Sequence, residues 1–286
     1  MPNSKSVYPT IPENRLDDLV GFERAAESDL FIFMAGNQFM LMAPLLASFR
    51  MAHPEVKRIC YETLPPGLEL KQILAGGARF GRRVLRFMPD VYTSVSSAAV
   101  ALLGRQKLLK PGSGSVYLHN RLDLMVAAGN PMGIRGLRDL GRAEVRVSQP
   151  NPDFEDIALH ILEMYRCARN TALEKRIMQE KQHAGTMLLT TVHHRETPQR
   201  ILAGISDVGP VWATEIQNAL AGGLALESVS VGADCDQRER AAYYVCELTC
   251  GRNPLNGQKF AAFLKTAQAR AIFNRFGFLT PADETS

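Results

Sequence analysis

Three times in its N-terminal third the chain runs a strand-like stretch into a turn and then into a helix start. Residues 30–35 (LFIFMA) are followed by Gly36, Asn37 and Gln38 and a helical segment at 39–53. Residues 56–63 (VKRICYET) pass through Leu64, Pro65, Pro66 and Gly67 into a helix at 68–75, which Gly76 and Gly77 stop. Residues 89–93 lead through Ser94, Ser96 and Ser97 into a helix that ends near Leu103. Short apolar runs alternating with helical patterns predict buried strands with covering helices. The alternation continues to the C-terminus, so the expected fold class is α/β with mostly parallel sheets. Each turn then sets a helix N-terminus, with its free N–H groups, beside the carboxyl end of a strand, where ligands of such folds bind.

The stretch 190–215 (TTVHHRETPQRILAGISDVGPVWATE) repeats the unit with unusual chemistry. Thr197 before Pro198 reads as a hydroxyl N-cap followed by proline at the first helical position, and Gly204 as the stop. His193, His194 and Arg195 precede that helix, and the only tryptophan, Trp212, lies one strand further on with Thr214. This unit is expected to form one wall of a ligand site. If the strand runs through both histidines, they point to opposite faces and at most one reaches the site. Arg195 either pairs with Glu196 or Asp207 or meets an anionic ligand bidentately. Trp212 is either core or ligand wall. Asp153, Glu155 and Asp156 are either first-turn acids favoured by the helix dipole or ligands of a cation.

Composition narrows the class. A chain of 286 residues with 46% hydrophobic and 22% charged residues can bury a sizeable core. The net charge of +4 is mild, and no basic stripe interleaved with aromatics argues for nucleic acid. The densest basic group, residues 79–86 (RFGRRVLR), reads as a solvated surface loop. The five cysteines form no CxxC pair and read as free buried thiols, although Cys246 and Cys250 are spaced to bridge or share a metal. The N-terminus has no apolar signal segment, and no run is long enough to span a membrane. The location is therefore periplasmic if a leader was removed and cytoplasmic if Met1 is the native start.

Seven pieces in order carry a resemblance: LFIFMAGNQ, PPGLELKQILAGG, PDVYTSV, LDLMVAAGNP with GLRDL, VRVSQPNP, ILAGISDVGPVW and FAAFLKTAQARAIFNRFGF. From about residue 30 to 278 the chain resembles the extracytoplasmic solute-binding proteins of ABC transporters, on the type II branch that includes molybdate and tungstate binders. TVHHRETPQRI looks like the mark of a less characterised subgroup. The resemblance implies two α/β lobes, the first made of residues 1–117 and 238–286 and the second of 118–237. It implies a ligand cleft between lobes that close by a hinge. It places Asn37 with Gln38, the turn at Gly67, the segment 151–156 and Trp212 at the ligand. It also implies a membrane permease as partner and no catalysis or cofactor of its own.

The chain departs from that pattern. Asn37 replaces a hydroxyl, Pro66 removes an N–H donor, and residues 154–156 (FED) replace a small Pro/Gly-type segment. The ligand-binding set is therefore Asn37, Gln38, Gly67, Asn151, Arg195, Trp212 and Thr214, for an oxyanion such as molybdate or tungstate. A divalent metal on His193, His194, Glu155 and Asp156 is the competing ligand. A cytoplasmic sensor on the same fold is a second function, and an enzyme using His193 or His194 as general base, with Asp207 or Glu155 as orienter, is a third. No G-x-S-x-G, Walker A, HExxH or GxGxxG motif supports the enzyme.

Overall fold

The computed structural model describes residues 7–153, 155–168, 172–191 and 196–281. The chain divides into two compact units: Met1–Leu118, Tyr243–Asn274 and Thr280–Ser286 form the first, and His119–Ala242 with Arg275–Leu279 the second. Strands β1 (Thr10–Ile11), β2 (Leu19–Val20), β3 (Leu30–Phe33), β4 (Ile59–Glu62), β5 (Ala78–Phe80), β6 (Arg83–Leu85), β7 (Val91–Ser94) and β8 (Ser115–His119) come from the leading segment. Strands β9 (Leu122–Ala127), β10 (Val147–Gln149), β11 (Met187–Leu189), β12 (Val208–Trp212) and β13 (Leu226–Ser230) follow, and β14 (Ala242–Glu247) returns to the first unit. Helices α1 (Met42–Ala52), α2 (Pro66–Ala75) and α3 (Ser97–Arg105) belong to the first unit. Helices α4 (Ile157–Cys167), α5 (Leu173–Lys175), α6 (Glu196–Leu202) and α7 (Ala213–Ala221) belong to the second, and α8 (Pro254–Phe263) and α9 (Ala267–Arg275) close the chain.

The first unit holds a six-stranded sheet, β2-β4-β3-β7-β14-β8. Its centre, β4, β3 and β7, is parallel, β2 runs antiparallel to β4, and β14 runs antiparallel to β7. All four residues of β3 and of β7 are buried, which is why β3 reads as a continuous apolar run rather than an alternating one, while β7 (VYTS) buries its Thr93 and Ser94 as well. Phe31, Phe33 and Tyr92 share one cluster with Ile73 from α2, Leu103 from α3 and Cys246 from β14. On α1, Phe49 meets Phe260 and Phe263 of α8 edge-on, with ring centroids 5.2 and 5.4 Å apart. A smaller sheet, β1-β5-β6, caps a cluster of Ile11, Leu19, Leu64 and Ala78.

Asp90, 2% exposed, stitches the two segments of this unit together. Its carboxylate accepts from Phe31 N–H at 2.8 Å and from Asn253 N–H at 2.6 Å. Its backbone bonds Phe31 O and receives Leu248 N–H. A Cβ on Gly251 would lie 2.6 Å from Asp90, so this position admits only glycine without movement.

The second unit is a five-stranded sheet, β11-β10-β12-β9-β13, whose first three strands are parallel and whose β9 is antiparallel to both neighbours. Both sheets are thus mixed, with a parallel portion of three strands. Met125, Val211, Ile216 and Leu226 pack with Ile201 of α6 in this unit's core.

Several local expectations change. Gly36, Asn37 and Gln38 are not a loop: residues Gly36–Leu41 form a 3₁₀ turn, and the α-helix starts at Met42. The basic run 79–86 is a β-hairpin, not a loop, because Gly81 adopts a positive φ of 55° in the turn. All five cysteines are free, and burial pushes the Cys246 thiol up to about 12, far from a reactive thiolate. No helix among the described residues is long and apolar enough to cross a membrane.

Two outcomes are expected. Asp90→Ala leaves two buried N–H groups without acceptors and destabilises the first unit by roughly 2–6 kcal/mol, measured by urea unfolding; a loss below about 1 kcal/mol contradicts the stitching role. Glu62, fully buried at the end of β4, has its carboxyl pushed well above the ordinary 4.5 by burial, against a hydrogen bond from Gln72, with the Asp18 charge adding to the rise. A raised folded-state pKa means stability is complete below 4.5 and falls as pH rises through the folded value. Thermal unfolding across pH should therefore fall more steeply above 4.5 for the wild type than for Glu62→Gln; parallel curves contradict this.

Candidate functional site

The carboxyl ends of β3 and β7 carry a buried polar cluster in the first unit. Ala35 N–H donates to Thr93 Oγ1 at 2.8 Å, which fixes the turn that follows β3 against β7. That turn delivers Asn37 and Gln38, 4% and 0% exposed, into the unit. The Gln38 side-chain oxygen accepts from the Tyr117 hydroxyl at 2.7 Å and from Thr93 Oγ1 at 3.3 Å. With the oxygen committed, the amide nitrogen is turned away, and Gln38 Nε2 is buried with no partner among the described residues. Asn37 Nδ2 donates to the Tyr243 hydroxyl. Burial holds the Tyr117 phenol well above its ordinary range, against its bond to Gln38, so it remains a proton donor.

Gly67 sits in the first turn of α2, behind Pro65 and Pro66. Leu68 and Glu69 N–H both turn back to Pro65 O, at 2.8 and 3.1 Å. Tyr92 donates to Pro66 O at 2.9 Å and fixes this helix start over β7. Glu69 is fully buried on the same turn.

The second unit carries its own polar group where β10 and β11 end. Glu155 is 3% exposed, and its carboxylate accepts from the Thr190 hydroxyl and from Asn151 N–H at 3.3 Å. The helix begins only at Ile157, so Asp153, Glu155 and Asp156 precede its first turn rather than occupy it. Thr197 does not cap a helix: α6 starts one residue earlier, at Glu196, and the Thr197 hydroxyl bonds Ser148 Oγ at 2.9 Å. The approach is close because residue 209 is glycine; a Cβ there would lie 2.4 Å from the Thr197 methyl. Trp212, 2% exposed, ends β12 with its ring 5.8 Å from His160. Thr214, fully buried, accepts from Asn120 Nδ2 at 3.1 Å.

His193, His194 and Arg195 lie outside the described residues. The carboxylates considered as partners for Arg195 have other cations. Asp207 is held bidentately by Arg146, at 2.6 and 3.1 Å, and Glu196 pairs with Arg200 at 2.8 Å. Burial alone would raise Asp207, but Arg146 outweighs it and holds the carboxyl below its ordinary value. Asp207 ties the start of β12 to the start of β10 through Arg146. Among the described residues, no group of three or more His, Cys, Asp or Glu is placed to hold a metal ion.

Within the first unit, Asn37 and Gln38 fall in one cluster. Thr93, Tyr117 and Tyr243 complete it and were outside the expected set. Tyr117 and Tyr243 come from β8 (SVYLH) and β14 (AYYVCE), and their only sequence signal is a tyrosine beside apolar strand residues. Tyr117→Phe should cost about 1 kcal/mol in urea unfolding, since it leaves the Gln38 oxygen with Thr93 alone; an unchanged midpoint contradicts the cluster.

The family model for bacterial extracellular solute-binding proteins matches residues 30–279. Among solved structures, the chain is similar to the periplasmic molybdate-binding protein of Azotobacter vinelandii, with 16% identity, TM-score 0.68 and coverage of 88% of this chain and 100% of that one. It is similar to the sulfate-binding protein of Mycobacterium tuberculosis, with 17% identity, TM-score 0.66 and coverage of 89% and 86%. A substrate-binding protein of an ABC transporter from Agrobacterium tumefaciens gives 10% identity, TM-score 0.70 and coverage of 90% and 80%. At such identities the likeness speaks for the fold. No curated protein matches the sequence.

Proposed function

The chain belongs to the bacterial extracellular solute-binding protein family, and from that premise we propose that it captures a small oxyanion outside the cytoplasm and hands it to a membrane ABC permease. Two similar structures are of proteins named for binding molybdate and sulfate, which supports this ligand class. The observation that carries the reading is the Gln38 amide. Its oxygen is fixed by two hydroxyls, and its nitrogen is a buried donor without an acceptor among the described residues. A buried donor left unmade costs about 1–3 kcal/mol. A ligand oxygen placed there recovers that cost on binding, and the donor needs no reorganisation to receive it.

In this reading Gln38 donates to the ligand, Asn37 and the Gly67 turn adjoin it, and the first unit presents neutral donors rather than a salt bridge. Neutral donors suit a compact anion because no second charge has to be desolvated. Asn151, Arg195, Trp212 and Thr214 are the second unit's proposed contributors, each testable by its own substitution. The protein binds and releases its solute unchanged. The metal alternative on His193, His194, Glu155 and Asp156 is the weaker one, because Glu155 already receives Thr190 and Asn151.

Titration calorimetry and thermal shift with molybdate, tungstate, sulfate and phosphate test the reading, since a ligand of the folded state raises the melting temperature. One of these anions should stabilise the wild type. Gln38→Glu, which sets a carboxylate where the donor was, should weaken its binding at least about tenfold. If none of the four anions binds the wild type, the oxyanion assignment falls. If the variant binds as tightly as the wild type, Gln38 is not a contact.

A further inference from the structure

The β5–β6 hairpin concentrates positive charge that the ligand reading does not use. No acidic residue occurs between Glu69 and Asp90, while Lys71, Arg79, Arg82, Arg83 and Arg86 all do. The four arginines are exposed. In the hairpin register Arg79 pairs with Val84, Phe80 with Arg83 and Ala78 with Leu85. Ala78, Phe80 and Leu85 turn inward onto Ile11, Leu19 and Leu64. Arg79 and Val84 therefore share the outer face, and Val84 is 41% exposed there. Arg82 occupies the turn, and Arg86 lies over the Tyr8 ring with 5.7 Å to its centroid. The neighbouring acid is Glu13, whose carboxylate would be 3.4 Å from a Cβ on Gly81.

Charge on an edge strand commonly blocks edge-to-edge aggregation. That accounts for Arg83, because β6 is the sheet's edge. It does not account for Arg79 on the central strand, Arg82 in the turn or Arg86 beyond the strand. Arg79 beside Val84 on the outer face, Arg82 in the turn, Arg83 on the Phe80 side of its strand and Arg86 beyond it leave four exposed guanidiniums around one short hairpin, with Val84 the aliphatic side chain among them, a surface that suits phosphates above hydrocarbon. Arginine forks bind phosphate bidentately, and basic residues are attracted to anionic headgroups.

We propose that the β5–β6 hairpin docks on an anionic phospholipid bilayer, holding the protein at the membrane whether or not it carries its solute. Membership of a solute-binding family makes a membrane the nearby partner, but the surface itself is independent of which ligand is bound.

Co-sedimentation of the full chain with phosphatidylcholine vesicles, with and without phosphatidylglycerol, tests this at low and high salt. The wild type should partition onto the anionic vesicles and be released by salt. Arg82→Glu/Arg83→Glu should lower the partition coefficient by more than about tenfold while leaving the melting temperature unchanged, since both side chains are exposed. Arg50→Glu/Arg105→Glu carries the same net charge change on α1 and α3 and should lower it far less. The proposal is overturned if the wild type ignores phosphatidylglycerol. It is equally overturned if the hairpin variant still binds, or if the α1/α3 variant loses as much as the hairpin variant. An acidic protein surface as the partner would show as the first of these outcomes. Oxyanion titration of the hairpin variant separates the two readings, because its solute affinity should equal that of the wild type.

Discussion

The Asp90 carboxylate is the constraint on which the first unit depends. That unit is assembled from chain segments that lie more than a hundred residues apart, and Asp90 accepts N–H groups from both, Phe31 on β3 and Asn253 at the start of α8. A carboxylate taken out of water is tolerated only when its oxygens are hydrogen-bonded, so the burial of Asp90 demands that these segments meet. Gly251 and Gly257 let the backbone come close enough, with would-be Cβ atoms 2.6 and 3.1 Å from Asp90 atoms. The consequence travels along the strands. Asp90 N–H to Phe31 O sets β7 against β3 at one end, and Ala35 N–H to Thr93 sets them at the other. Gln38 is positioned by that second contact.

What was legible in the sequence is what short-range chemistry decides. The apolar run 30–35 and the strand-like stretch 89–93 became β3 and β7, because strands buried on both faces need no alternation. Gly204 and Gly76 ended helices as expected, each at a positive φ. The errors have a common cause in tertiary contact. Thr197 satisfies every local rule for an N-cap, yet its hydroxyl bonds Ser148, because Gly209 lets α6 approach the sheet there. The acids at 153, 155 and 156 look like first-turn residues, yet Glu155 is drawn inward by Thr190, a partner 35 residues away. Tyr117 and Tyr243 reach the Asn37–Gln38 turn from β8 and β14, and no spacing in the sequence connects positions so far apart.

Under the proposed reading, the case for an anionic solute rests on hydrogen-bond polarity rather than on the protein's net charge. A net charge of +4 suggests an anion only if that charge is near the site. The densest basic group lies instead on the β5–β6 hairpin, at Arg79, Arg82, Arg83 and Arg86. Arg146 and Arg200 are committed to Asp207 and Glu196. The hydrogen-bond partners of Gln38 and Asn37 are two tyrosines and a threonine. Net charge is therefore no evidence about the solute, and the case for an anion rests on hydrogen-bond polarity. An amide whose oxygen is already occupied by two hydroxyl donors can offer only N–H outward. Such a group attracts an acceptor and is indifferent to a cation. A lysine at the same place would attract an anion more strongly at long range, but it would have to be desolvated in a fully buried position each time the solute left. A fixed neutral donor avoids that cost in the empty protein, which suits a carrier that must release its cargo as readily as it takes it up.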